Sequence, residues 1–135
     1  MDKIVNPVIG EEVTFLTSSK QSSGEKTLME IYLSPTGGNP LHYHKTFTEI
    51  FTAIDGELGV KLGKSLRKIL NPGESYTVGP NLIHGFFNPT DREIKFKSDI
   101  NTGHQGFENS LRILYGLAED GQTNDKGIPK TAIWL

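Results

Sequence analysis

Residues 37–56, which read GGNPLHYHKTFTEIFTAIDG, decide the fold. They carry His42 and His44, which are two positions apart, so that on a β-strand both imidazoles project from the same face. Two convergent neutral imidazoles are good ligands for first-row divalent metals. Glu49 follows five residues after His44, an offset that places it on the opposite face of an unbroken strand. For Glu49 to join the histidines, the chain must turn or bulge near residues 45–47.

A second segment, residues 73–88 (GESYTVGPNLIHGFFN), supplies a third histidine. His84 alternates there with Phe86 and Asn88, as expected for a strand. If the strands that carry the two segments face one another inside a small barrel, three imidazoles and the carboxylate of Glu49 surround a single point. Such a set would bind a divalent metal and leave coordination positions open.

Short runs of β-branched and aromatic residues, separated by Gly, Pro, Asn and Asp, predict strands along most of the chain. Eight strands are predicted, at residues 12–17, 26–33, 48–54, 57–62, 66–70, 75–78, 83–88 and 92–100. Asp55-Gly56 has the composition of a two-residue hairpin turn. Strands this closely spaced leave no room for crossover helices, so we expect an antiparallel sheet that is closed or sandwiched into a barrel.

After Gly103 the hydrophobic period changes from that of a strand to that of a helix. The apolar residues recur at helical spacing, at Phe107, Leu111, Leu114, Tyr115 and Ala118. This stripe predicts one amphipathic helix, about residues 105–118, packed on one end of the barrel. Glu108, Arg112 and Glu119 lie off the stripe.

The length and spacing predict a single domain over residues 1–135, with a barrel core at about 12–100 and a tail at 119–135. The tail ends in an apolar group that includes Trp134, which we expect to dock on the domain or on a partner. His104 fits no motif and is expected at the surface. Five phenylalanines should be mostly core, with one or two lining a pocket: Phe47, Phe51, Phe86, Phe87 and Phe96.

The composition excludes several classes of function. The chain has no cysteine, so disulfides, thiolate zinc sites, iron–sulfur clusters and a cysteine nucleophile are absent. A net charge of −2 without a basic block argues against a nucleic-acid partner. No apolar stretch approaches the ~20 residues of a membrane span, and the N-terminal residues lack a signal peptide's apolar run. We therefore expect a soluble, cytoplasmic protein without a membrane partner.

At the histidine segments the sequence resembles the cupin superfamily. The first motif of that family is Gly, then His-x-His, three or four residues, Glu, six residues and Gly. His42, His44, Glu49 and Gly56 match it, with Gly37 one residue closer to the first histidine than usual.

The second cupin motif is matched in register by Gly73, His84 and Asn88. Gly79 stands where the family usually has Pro, and Asn81 where it usually has Gly. Both residues form turns readily, so these differences concern the shape of the turn and not the metal ligands.

The resemblance implies an all-β fold, the double-stranded β-helix (cupin or jelly-roll) barrel. It implies a metal inside the barrel, bound by His42, His44, Glu49 and His84, and a homodimer. A divalent ion with one carboxylate and three neutral imidazoles keeps a charge near +1, which favours an anionic oxygen of a small-molecule ligand. Mn, Fe, Ni and Co suit this nitrogen–oxygen set best, and Zn also fits it.

Three functions are compatible with such a site. The first is a metal-dependent, dioxygenase-type oxidoreductase for a small oxygen-rich molecule, in which Glu49 stays a ligand or accepts a proton. The second is a metal-bearing binding or sensory module without turnover. The third, an isomerase or decarboxylase, needs another acid or base facing the metal, for which Glu30, Tyr32 and Tyr76 are the candidates.

Overall fold

The computed structural model describes residues 2–130, which form an all-β barrel followed by one helix. The strands are β1 (Asp2–Asn6), β2 (Glu11–Thr17), β3 (Thr27–Leu33), β4 (Thr48–Asp55), β5 (Leu58–Leu62), β6 (Leu66–Leu70), β7 (Ser75–Val78), β8 (His84–Phe87) and β9 (Ile94–Asn101), and the helix is α1 (Gln105–Glu119). The predicted barrel and helix are confirmed, and β1 is an additional strand. The apolar group around Trp134 lies outside the described residues.

The strands form two sheets in which every pair is antiparallel, as predicted. The larger sheet has the order β1-β2-β3-β9-β4-β7, and the smaller has the order β6-β5-β8. Strands distant in sequence are therefore neighbours, as when β9 lies between β3 and β4. This connectivity brings the histidine segments, which lie on either side of β5 and β6 in sequence, to one place.

Buried and more exposed side chains alternate along the strands, and the buried ones point into the space between the sheets. In β9, Ile94, Phe96, Ser98 and Ile100 are buried, while the residues between them are half-buried or exposed. β3 alternates in the same way over Thr27–Leu33. Successive side chains of a strand point to opposite faces. Apolar residues at every second position therefore define the inner face.

The prediction of a hairpin at Asp55-Gly56 is wrong. Gly56 does adopt the left-handed conformation, with φ at 83°, and a Cβ there would lie 2.6 Å from the Ile94 side chain. However, β4 pairs with β7 and β9, whereas β5 pairs with β6 and β8. The turn thus carries the chain from one sheet to the other.

Helix α1 packs its apolar stripe against the core, through Phe107, Leu111, Leu114 and Tyr115. His104, expected at the surface, is half-buried and caps the helix: its Nδ1 accepts a hydrogen bond of 2.9 Å from the Phe107 N–H. No helix within residues 2–130 is long and apolar enough to span a membrane.

Glu108 is buried, although it lies off the apolar stripe. Its Oε2 accepts hydrogen bonds from the Thr27 hydroxyl at 2.6 Å and the Ser19 N–H at 2.8 Å. A carboxylate is buried only where donors satisfy it, and these donors come from β3 and the loop before it. Glu108 therefore ties α1 to the barrel wall.

Replacing Glu108 with Ala should lower the free energy of unfolding by about 1–3 kcal/mol, because it leaves buried donors on Thr27 and Ser19 without an acceptor. Urea denaturation followed by circular dichroism measures the change. Glu119→Ala, at an exposed position of the same helix, is the matched control. Equal free energies of unfolding for the two variants would show that Glu108 does not stabilise the packing of α1 on the barrel.

Candidate metal centre

Backbone hydrogen bonds hold two of the histidines side by side. The N–H of His42 donates to the carbonyl of His84 and the N–H of His84 donates to the carbonyl of His42, both at 2.9 Å. Residues that exchange both bonds in an antiparallel pair project their side chains to the same face. The two imidazole centroids are accordingly 4.4 Å apart.

The chain bends after His44 at residues 45–46, as the five-residue offset requires, and then enters β4. This bend turns Glu49 into the barrel, where it is 4% exposed. The turn before β8 is docked on the same segment, because the Asn81 N–H donates to the His44 carbonyl at 2.6 Å. Asn81 has φ at 68°, a left-handed conformation that Asn tolerates in place of the usual Gly.

Four potential ligands meet at this point: His42, His44, Glu49 and His84. Their ligand atoms all lie within 4.8 Å of one another. Glu49 Oε1 is 3.4 Å from His44 Nε2 and 3.3 Å from His84 Nε2. Three imidazoles and a carboxylate this close together can converge on one divalent ion.

Further hydrogen bonds orient the potential ligands. The Nδ1–H groups of His42 and His84 donate to the carbonyls of Pro40 and Leu82, each at 2.8 Å, which leaves Nε2 to face the cluster. The Ser98 hydroxyl donates to Glu49 Oε2. Outer contacts of this kind are typical of protein metal sites, since they hold each ligand in its binding orientation.

The electrostatics give His42 and Glu49 the charges that a metal requires, whereas the hydrogen bond to Glu49 raises the pKa of His84 against the effect of burial. Burial lowers the pKa of His42 to about 4, and the neighbouring histidines add to the effect, so this imidazole is neutral at pH 7. Burial alone would raise the pKa of Glu49, but hydrogen bonds from His44, His84 and Ser98 outweigh it and lower the pKa to about 2. Neutral imidazole and ionised carboxylate are the metal-binding forms.

A profile described as the cupin domain matches residues 29–100, more than half of the chain and the whole of the ligand cluster. The chain belongs to the cupin family. Among curated proteins it is similar to germin-like proteins 8-2 and 8-11 of Oryza sativa subsp. japonica, with 37% identity over 94 residues and 36% over 91. These matches cover 62% and 60% of the cupin chain but only 42% and 40% of the relatives.

Solved structures share the fold at low sequence identity. KdgF from Halomonas sp. superposes with a TM-score of 0.67 at 14% identity, covering 79% of this cupin and 93% of that chain. A recombinant oxalate oxidase in complex with glycolate superposes with a TM-score of 0.61 at 22% identity, covering 82% and 70%. These likenesses support the double-stranded β-helix assignment.

An apolar cavity of about 410 Å³ lies beside the cluster. Three of the potential ligands, His42, His44 and Glu49, line it, whereas the fully buried His84 is not part of the lining. The apolar wall comes from the barrel and from helix α1: Met29, Ile31, Phe86, Phe107, Leu111 and Leu114. This volume lies within the range of small-molecule sites, about 300–1,000 Å³.

The three residues predicted as an additional acid or base, Glu30, Tyr32 and Tyr76, do not line the cavity beside the cluster. Glu30 and Tyr32 occupy the outer phase of β3, opposite Met29 and Ile31, which line the cavity. Tyr76 packs against the core but does not line the cavity.

Glu11 and Tyr115 are an acid and a phenol in the position where those residues were expected. Both line the cavity, and the Tyr115 hydroxyl donates a hydrogen bond to Glu11 Oε1. The sequence carried a signal for this pair: Glu11 is in phase with the buried Val13 and Phe15 of β2, and Tyr115 belongs to the apolar stripe of α1. The predicted strand began one residue too late to include Glu11.

Replacing His42 or His84 with Ala should abolish stoichiometric metal binding and leave a folded barrel, because the apolar core provides most of the stability. Elemental analysis and circular dichroism of the purified variants measure the two properties. His104→Asn is the matched control, since it removes a histidine outside the cluster and keeps a capping side chain. Unchanged metal content in either alanine variant would show that the ligands are misassigned.

Proposed function

We propose that this cupin is a metal-dependent, dioxygenase-type oxidoreductase that acts on a small oxygen-rich organic molecule. The observation that carries the proposal is the cluster of three histidines and one glutamate on the wall of an apolar cavity. The ligands would be His42, His44, Glu49 and His84, and the ion Mn, Fe, Ni or Co, with Zn also compatible. When bound, the ion would supply Lewis-acid and redox chemistry at an oxygen of the substrate.

The charge of the site favours an anionic ligand. Glu49 is the only carboxylate in the cluster, so its single negative charge leaves the site with a divalent ion near +1. An oxyanion of the substrate would neutralise the remaining charge within a cavity whose walls are largely apolar.

The cavity wall keeps water from the substrate. Phe86 from β8 and Phe107 and Leu111 from α1 present apolar surface beside the cluster. Phe47 and Phe107 also hold the His44 ring, Phe47 by stacking at 4.3 Å between centroids and Phe107 edge-on at 5.3 Å. Excluding water strengthens electrostatic interactions with the substrate and suppresses side reactions.

One of the structural neighbours is consistent with oxidative chemistry. One solved structure that shares the fold is an oxalate oxidase bound to glycolate, a small oxygen-rich acid. The present chain covers less than half of the curated germin-like relatives. Its substrate is therefore proposed from the charge and volume of its own site.

The second candidate function is an isomerase or decarboxylase. Such chemistry needs a proton donor or acceptor beside the ligands, and Glu11 with Tyr115 places one in the cavity. Homodimerisation and a cytoplasmic location stay predictions.

Oxygen uptake tests the proposal. The purified protein, reconstituted with each metal in turn, is supplied with catechols, flavonols and enediols, and oxygen consumption is recorded together with products by mass spectrometry. At least one pair of metal and substrate should consume oxygen, and His42→Ala should be inactive with the same pair.

Conversion that proceeds equally well without oxygen would contradict the oxidoreductase and favour the isomerase or decarboxylase. Recovery of every compound unchanged, including those that bind tightly, would contradict an enzyme and favour a binding or sensory module.

A further inference from the structure

Glu11 is a buried acid, and one of its two carboxylate oxygens has no hydrogen-bond partner within residues 2–130. The side chain lies at the start of β2 and is 5% exposed. Its Oε1 accepts the hydrogen bond of Tyr115, but within residues 2–130 its buried Oε2 has no hydrogen-bond partner. Buried polar atoms without a partner are rare and costly, and this one belongs to a residue that lines the cavity beside the cluster.

We propose that Glu11 is the proton acceptor for the substrate in this cavity. Glu11 Oε2 takes the proton of a substrate hydroxyl, and the resulting oxyanion is directed at the cluster of His42, His44, Glu49 and His84. The inference rests on the proposed function and names its substrate class: a small, neutral catechol, enediol or other vicinal hydroxyl compound that becomes anionic only inside the cavity.

The step is a simple proton transfer. The O–H bond of the substrate breaks and its electron pair stays on the substrate oxygen. A new O–H bond forms at Glu11 Oε2, and the carboxylate becomes a neutral carboxylic acid. No atom changes oxidation state, and the proton remains available for return to the product.

Glu49, the other carboxylate in the cavity, is poorly placed for this role. Its Oε1 lies 3.3 and 3.4 Å from two imidazole nitrogens, and its Oε2 accepts the hydrogen bond of Ser98. Both oxygens of Glu49 are therefore engaged in the cluster. Glu11 Oε2 is the carboxylate oxygen of the cavity lining that has no hydrogen-bond partner within residues 2–130.

The surroundings of Glu11 give it a suitable basicity. Burial raises its pKa to about 7, the Tyr115 hydrogen bond opposes this shift, and the charge of Glu49 adds to it. A general base is most effective when its pKa is near the working pH. On the adjacent strands its register partners are Asn6 and Leu33, which do not titrate.

The titratable and charged groups that share the cavity with Glu11 come from several elements. Tyr115 comes from α1, Glu49 from β4, His42, Tyr43 and His44 from the segment before β4, and Lys126 from the segment after α1. A cation at the cluster would offset the charge of Glu49 and lower the pKa of Glu11, which favours its basic form.

Tyr115 is a positioning residue in this scheme. It is 4% exposed and donates to Oε1, so it holds one oxygen of the carboxyl group and leaves Oε2 without a partner within residues 2–130. Since this hydrogen bond lowers the pKa of Glu11, Tyr115→Phe should raise it.

Proton release on binding tests the proposal without relying on turnover. Catechol is titrated into the zinc-loaded protein at about pH 8, where Glu11 is largely ionised. Calorimetry in two buffers of different ionisation enthalpy then gives the protons released per ligand bound. Glu11→Gln should release more protons per bound catechol than the wild type, by up to about one, because the amide cannot accept the proton that the adjacent substrate oxyanion helps Glu11 to retain.

The matched control is Glu12→Gln, which removes a carboxylate on the opposite phase of β2, where Glu12 Oε1 lies 3.6 Å from Lys3 Nζ. It should behave as the wild type. Equal proton release by the wild type and Glu11→Gln, or no catechol binding by the wild type, would overturn the proposal.

Kinetics distinguish this inference from the proposed function. With the active pair of metal and substrate, Glu11→Gln should lower kcat by about 10²-fold or more with its metal content unchanged. The pH profile of Tyr115→Phe should show its rising limb at higher pH than that of the wild type. Full activity of Glu11→Gln would overturn the role of Glu11 alone, whereas an inactive wild type that still binds catechol with the expected difference in proton release would overturn only the oxidoreductase.

Discussion

Two backbone hydrogen bonds between His42 and His84, each 2.9 Å long, hold together the segments on which the site depends. One segment leads into β4 of the larger sheet, and the other begins β8 of the smaller sheet. The pair therefore lies where the two sheets meet. Because the bonds join main-chain atoms, they fix the spacing of the imidazoles independently of the side chains' own interactions.

The cluster that results is a polar group inside an apolar barrel, which is stable only when its members satisfy one another. Glu49 meets this condition through His44, His84 and Ser98, and His84, which is fully buried, also donates to the Leu82 carbonyl. The same arrangement that makes burial tolerable holds the ligand atoms close together.

Glu11, which lines the same cavity, differs from Glu49 because its hydrogen-bonding capacity is only partly satisfied. One of its oxygens has a partner in Tyr115, and the other has none within residues 2–130. The cavity thus combines a cluster whose hydrogen bonds are satisfied with an acid that retains capacity for a ligand.

Local patterns in the sequence predicted what depends on local geometry. The alternation of β3 and β9 and the helical period after Gly103 gave correct elements, and the two-residue spacing of His42 and His44 placed both on one face. The convergence of the four ligands could be inferred only by assuming that their segments face one another, an assumption that the resemblance to cupins supported.

The errors arose where distant pairing decides the outcome. Gly56 has the expected left-handed turn conformation, but the partners of β4 and β5 determine that no hairpin forms there. Glu108 and Glu11 are buried by partners 81 and 104 residues away, Thr27 and Tyr115, which no local pattern shows. β1 escaped prediction because most of its residues are exposed, so that its short sequence has no clear apolar phase.

We expect one divalent ion to bind between His42, His44, Glu49 and His84, and crystallography of the purified wild-type protein would locate it. Elemental analysis identifies the metal, and an anomalous difference map recorded at its absorption edge locates it. The map should show one anomalous peak per chain, within coordination distance of these four side chains. A peak elsewhere, or a map without one from protein supplied with each candidate metal, would contradict this expectation.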